Sequence, residues 1–206
     1  MKKSLLILAV ASLVACKKNE EPKTDESSTS IGDVVNGAKT LSNLSASMDD
    51  IQKSADKLKT VKPLSNDEIK AALPENVIGL KRTEYNAGDN MMVGLITADA
   101  KYSDGTEKNV RLNIMDGAGE SGSAVVTMIM MGLKAESEKN NEQGYEKTTN
   151  FNNTRAIISE HKNGDLLESK ITYLLKDRYV IKIEADGYTV DQLKPIMDEI
   201  NVSALK

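Results

Sequence analysis

Four sets of residues in this chain have the types and spacing to do chemistry. Gly117-Ala118-Gly119-Glu120-Ser121-Gly122 fits the pattern G-x-G-x-x-G, in which glycines let backbone amides approach a pyrophosphate at the positive end of a helix. The residues before it alternate instead of being apolar throughout. Residues 145–150 beyond the next helix are polar with no acid placed for a ribose, and Glu120 would put a negative charge in the phosphate nest. The pattern therefore reads as a structural turn, with phosphate or nucleotide binding through Gly117–Gly122 as the alternative. His161 is the only histidine, so a Ser-His-Asp triad or a His-rich metal site would have to be built on it alone; beside Asn163-Gly164 it reads as an exposed turn residue. Asp99, Asp104 and Asp116 fall near the ends of adjacent predicted strands and could share acid and base work. They could also hold calcium, although no D-x-D-x-D-G loop is present. Solvated loop ends are the simpler reading in a chain with 31 acidic residues. Cys16 is the single thiol, which excludes an internal disulfide and a Cys-cluster metal site. These residues assign no catalytic site, no cofactor and no metal.

The surroundings of Cys16 give it a different chemistry. Lys2 and Lys3 form a short basic head, and Leu5 to Val14 an apolar stretch of about ten residues, half of the ~20 that a spanning helix needs. Leu13-Val14-Ala15-Cys16 follows at its end. This order resembles the lipobox of bacterial lipoproteins. The resemblance implies that residues 1–15 are a signal peptide, that the Cys16 thiol takes a diacylglyceryl group, and that Cys16 becomes the new N-terminus. Two or three acyl chains, each methylene contributing ~0.8 kcal/mol, would hold a domain durably at a bilayer that it does not span. Residues 17–30 contain no apolar residue except Pro22 and cannot bury enough surface to offset their ordering entropy, so residues 16–30 read as a lipidated flexible tether. Lys18 with Glu20-Glu21 resembles the export signal of surface-displayed lipoproteins in the Bacteroidetes. The expected address is the outer membrane, at its periplasmic face or at the cell surface.

Composition narrows the partners. The chain has 206 residues, 39% hydrophobic and 28% charged, with 3% aromatics and no Trp. It is long enough for one core built mainly from aliphatic side chains, and it lacks the aromatic platforms that stack bases. Removing Lys2 and Lys3 with the signal peptide leaves 25 basic against 31 acidic side chains, a net of −6, so nothing draws this domain to nucleic acid. The expected partners are the membrane, through the lipid, and an unidentified protein or small molecule. The leading expectation is a non-catalytic binding module; the competing one is a carboxylate-dependent envelope enzyme.

The elements that must position these residues follow from periodicity. Val34, Leu41, Met48 and Ala55 fall at one heptad position and Leu44, Ile51 and Leu58 at the other, which predicts an amphipathic stalk helix within residues 31–62. Its flanking positions offer no opposite-charge pairs, so it should dock on its own domain or fray, with self-association or a partner helix as the alternatives. Residues 63–206 form the globular domain. Ser65-Asn66-Asp67-Glu68 is a capping box opening a short helix that Pro74 stops. Seven strand candidates follow: Val77 to Tyr85, Met91 to Tyr102, Lys108 to Met115, Gly144 to Thr149, Arg155 to His161, Leu166 to Leu175, and Tyr179 to Glu184. The turn-rich Asn86-Ala87-Gly88-Asp89-Asn90 separates the first two. Ser123 to Leu133, apolar nearly all round, predicts a buried helix with its methionines as core filler, an adaptable binding surface being the alternative, and Thr189 with Gln192 opens a last helix past Pro195. The sum is an α+β fold: one antiparallel, meandering sheet of six to seven strands with covering helices, preceded by the stalk helix. This order of helix, three strands, helix, four strands, helix resembles the PsbP-like proteins; the resemblance implies a fold and transfers no functional residue.

Overall fold

The structure, a computed structural model, describes residues 47–90 and 94–206, without the side chains of Asp89 and Asn90. The predicted signal peptide, Cys16, the tether over residues 16–30, and residues 31–46 of the predicted stalk helix lie outside the described residues. So does the start of the second strand candidate at Met91.

The described chain opens in a helix, α1, that runs through residue 60, and α2 (Asn66–Lys70) follows. Four strands come next: β1 (Asn76–Val77), β2 (Leu80–Asn90), β3 (Leu95–Ser103) and β4 (Asn109–Asp116). The long helix α3 (Gly119–Lys134) leads to β5 (Glu138–Asn141), β6 (Gly144–Phe151), β7 (Thr154–Asn163), β8 (Leu166–Leu175) and β9 (Tyr179–Asp186). Two single-turn helices, α4 (Val190–Leu193) and α5 (Ile196–Glu199), close the fold with a 3-10 turn at Val202–Ala204. The strands lie in the order β1-β2-β3-β4-β9-β8-β7-β6-β5, each antiparallel to its neighbours. The sheet is thus two meanders joined side by side at β4 and β9.

Alternation along the strands gives the sheet two unlike faces. One carries Val110, Leu112, Ile114, Ile171, Ile181 and Ile183, all buried beneath α2, α4, α5 and Leu205. The other is covered in part: Met115, Val180 and Leu174 pack under Val126 of α3 and Leu58 of α1. Ile51, Ala55 and Leu58 of the predicted stalk seam are buried, whereas Met48 is exposed.

The expected α+β sheet of six to seven strands is overturned: the fold is one large nine-stranded antiparallel sheet with few, mostly short helices. Two strands gave no periodic signal. β1 is two residues long, and β5 is Glu-Lys-Asn-Asn, exposed along its whole length; both are strands because a neighbour's backbone holds them there. Asn86 to Asn90, expected as a turn, extends β2 because Gly88 to Asn90 pair with Thr97 to Leu95. The element order that underlies the resemblance to PsbP-like proteins is therefore not the one the chain adopts. The expected last helix is split at Pro195, which has no amide to continue α4. Nor is α3 buried all round. It inserts Ser123, Val126 and Leu133 and leaves Met128 71% and Met131 43% exposed, so these two methionines are not core filler.

Both capping boxes form as the sequence reading expects. Ser65 Oγ accepts from the Glu68 amide while Glu68 accepts from the Ser65 amide, and Thr189 and Gln192 do the same at α4.

Where β4 meets α3, the fold is tied by one ion pair. The Asp116 carboxylate is fully buried and accepts from Arg178 Nε at 2.7 Å and Nη2 at 2.8 Å. It also accepts from the amides of Leu64 at 2.8 Å and Ala118 at 3.0 Å. Replacing Asp116 by Asn leaves the guanidinium charge poorly compensated and should cost about 3 kcal/mol, read by urea unfolding. The double variant Asp116→Leu with Arg178→Met, which removes both charges, should recover part of that loss.

Glu68 lies beside the same corner. The Lys206 ammonium, followed by the Ser65 amide and hydroxyl, holds Glu68 down at about 2. A depressed folded value stabilises above the unfolded glutamate value of ~4.3 and loses that contribution as pH falls through about 2. Glu68→Gln should flatten this part of the acid limb in a series of urea midpoints against pH.

Candidate functional site

The glycine-rich turn sits at the junction of β4 and α3, and its glycines are there for packing. A Cβ on Gly117 would meet Val126 Cγ2 at 2.3 Å and the Arg178 carbonyl oxygen at 2.4 Å; one on Gly122 would meet the Gly117 carbonyl carbon at 2.7 Å. Gly119 has φ +81, the left-handed region that favours glycine. The Gly117 amide donates to the Arg178 carbonyl at 3.0 Å. Close approach between helix and sheet accounts for Gly117 and Gly122, and chain direction for Gly119.

The three aspartates do not converge. Asp104 lies in the turn before β4 and Asp116 at its far end, so eight residues of strand, roughly 25 Å, separate them. Asp104 accepts from the Thr106 amide at 3.0 Å, and the Thr106 hydroxyl and amide hold its carboxyl below the usual range. Asp99 accepts from Asn113 Nδ2 at 2.7 Å across the β3–β4 pairing. Asp116 is committed to Arg178. Each carboxylate is engaged by a different structural partner.

His161 is not in a turn. It is half-buried inside β7, opposite Glu168 of β8, because the β7–β8 hairpin closes at Gly164, beyond it. Its strand face is the half of the sheet that α3 leaves bare. There Glu84, Lys101, Arg111, Glu184, Lys170 and Ser159 stand side by side across six strands. Lys170 and Glu184 bond at 2.7 Å across the β8–β9 pairing. A shallow depression of about 360 Å³ lies over this ladder, reaching His161 and Glu168. Among the described residues no three His, Cys, Asp or Glu side chains group as a metal site. The face offers hydrogen bonds and mixed charge to a polar ligand or a protein surface.

A second depression lies at the foot of α3, where the helix passes over the β8 end of the sheet. Met130 and Leu133 of α3 and Leu174 of β8 line it, with Lys134, Arg155 and Asp177 at its edge, enclosing about 330 Å³. Arg155 donates to the Leu133 carbonyl at 2.9 Å and to Glu136 at 2.6 Å, satisfying an end carbonyl that α3 leaves without an intrahelical partner. Sequence reading offered the methionines as an adaptable surface only as its alternative and did not place this groove. Its signal was the excess of methionine in residues 128–131, more than one buried face of a helix can absorb.

Gly117→Ala should cost at least about 2 kcal/mol, because its contacts are another backbone and a buried valine. Gly164→Ala, with φ +64 and open space around it, should cost about 1 kcal/mol; paired urea denaturation curves compare the two. No protein-family model, no curated protein and no solved structure shows a significant match to this chain.

Proposed function

We propose that this chain is an envelope lipoprotein, held in the outer membrane by lipid on Cys16, whose globular part is a non-catalytic binding module. The observation that supports the anchor is the order Leu13-Val14-Ala15-Cys16 behind Lys2-Lys3 and the apolar stretch Leu5 to Val14. That stretch is long enough to be engaged for export and too short to span, so membrane attachment falls to the acyl chains. Among the described residues no helix is long and apolar enough to cross a membrane.

Binding rather than turnover is favoured by where the reactive residue types are spent. Asp99, Asp104 and Asp116 each hold the fold together through Asn113, Thr106 and Arg178. What remains exposed is a polar strand ladder and an aliphatic groove, surfaces that suit recognition of a protein or a small molecule. A net negative charge argues against nucleic acid.

Growth with labelled palmitate should tag the native protein and leave a Cys16→Ala version unlabelled. Equal labelling of both, or labelling of neither, overturns the anchor. Protease treatment of intact cells then assigns the face: digestion of the native protein means surface display, and protection means the periplasmic side.

A further inference from the structure

The helix α3 turns an uncharged face outward. On the side away from Ser123, Val126 and Leu133, which it inserts into the fold, it carries Ala124, Met128, Met131 and, at its C-cap, Ala135, all exposed. Helical periodicity sets these four in one stripe about three turns long. Single exposed apolar side chains need no explanation; an unbroken stripe of them, with charges only towards its two ends, marks a contact surface.

The spacing of the stripe says what covers it. Its steps are four, three and four residues, so it reads the same in both directions about the point between Ile129 and Met130. A face with that symmetry is complementary to a second copy of itself turned end for end. Each methionine then falls opposite the other methionine of the second copy, and each alanine opposite the other alanine. The alanines let the helices approach, and the unbranched thioethers fill the space between them at the centre. The charges agree with this pairing. Glu120 in the first turn and Lys134 in the last are exposed, stand on the same flank of the stripe and, among the described residues, form no ion pair. Lys59 of α1 lies near Glu120 but is bound to Asp56 at 2.9 Å. End-for-end pairing sets the acid of one helix beside the base of the other at both ends and opposes the two helix dipoles. A parallel pair would bring like charges to the same end.

We propose that two copies of this chain associate through α3, antiparallel about a twofold axis between residues 129 and 130, with Met128 of each against Met131 of the other. Such a contact uses the same patch on both copies and closes at two. A single helix pair of three turns falls below the ~1,200 Å² of a stable interface, so the dimer is a weak one that forms where the protein is concentrated. The inference goes beyond the binding-module reading by naming a partner, and it does not depend on the lipid at Cys16.

The full chain carrying Cys16→Ala, which removes its only thiol, is followed by sedimentation equilibrium. A monomer–dimer equilibrium with a Kd on the order of 100 µM is expected. Met128→Glu should weaken it at least about tenfold, because a carboxylate would be desolvated against the second copy; circular dichroism checks that this exposed position leaves the fold intact. Glu120→Lys should weaken it about threefold, and adding Lys134→Glu should restore the native value. For the register, Ala124→Cys and Ala135→Cys versions of the same protein are mixed and treated with a short bismaleimide. Cross-links between the two versions are expected, and none within either alone, since like positions stand roughly 17 Å apart along the antiparallel pair. A monomer at every concentration overturns the inference. So does self-association that Met128→Glu leaves unchanged, which would place it on the stalk or on the open edge of β5. Cross-linking of either version alone, the mark of a parallel pair, or a charge swap that restores nothing also overturns it. Palmitate labelling and this measurement fail independently.

Discussion

The fold depends on the Asp116–Arg178 pair because three segments that are distant in sequence meet there. Asp116 ends β4, Arg178 opens β9, Leu64 follows the break after α1, and Ala118 precedes α3. Two charges buried without water would cost several kcal/mol each, so the pair is tolerable only because the carboxylate takes four hydrogen bonds and the guanidinium is bidentate on it. Arg178 Nη2 also reaches the Lys62 carbonyl at 3.2 Å, and the Tyr179 hydroxyl donates to the main-chain oxygen of Lys206 at 2.6 Å. The C-terminal segment that covers the inner face is thereby fastened to the same corner as the chain entering from α1. Lys176 adds bonds to the main-chain oxygens of Val202 and Leu205. Loosening this corner would free both covering layers at once.

Much of the sheet was legible in the sequence, for reasons that separate cleanly by residue. Val110, Leu112 and Ile114 alternate with Asn109, Arg111 and Asn113, and a strand with one wet face has to show that period. The hairpin at Asn163-Gly164 was legible because the turn needs a residue at positive φ and Gly164 supplies it. The capping boxes were legible because they are local. β5 was not, since Glu138 to Asn141 bury nothing and the strand exists only through pairing with Gly144 to Lys147. Ile78 was not either: a β-branched residue at φ +43 is unfavourable alone, and it is held there with its amide donating to Glu199, 121 residues away.

The candidate sites were legible in reverse order to their prominence. The glycine motif is the most conspicuous pattern in the sequence and is spent on packing Val126 against β4 and β9. Asp116 was named as a candidate acid, and its importance is structural; its partner Arg178 stands 62 residues away, so no spacing rule joins them. The aliphatic groove was illegible because it is made by juxtaposing Leu174 with Met130 and Leu133, elements separated by three strands of sequence. A lipobox, by contrast, is read by enzymes as a linear string, so its signal survives without any fold.

Crossing distance explains why both surfaces exist at all. β4 lies at the middle of the sheet and β5 at its edge, five strand spacings away, roughly 24 Å. The 16 residues of α3 are also about 24 Å long, so the helix is consumed in getting from one to the other. It packs against β9, β8 and β7 on the way and covers one band of the face, over Met115, Val180 and Leu174. In the band beyond it the strands put Arg111, Glu184 and Lys170 in register, each exposed in whole or in part. At the helix's end, Leu174 and Leu133 line an aliphatic groove beside a charged rim. A crossover one or two turns longer could have closed the groove; one of this length, with α1 covering only the band at Leu58, leaves both surfaces open among the described residues.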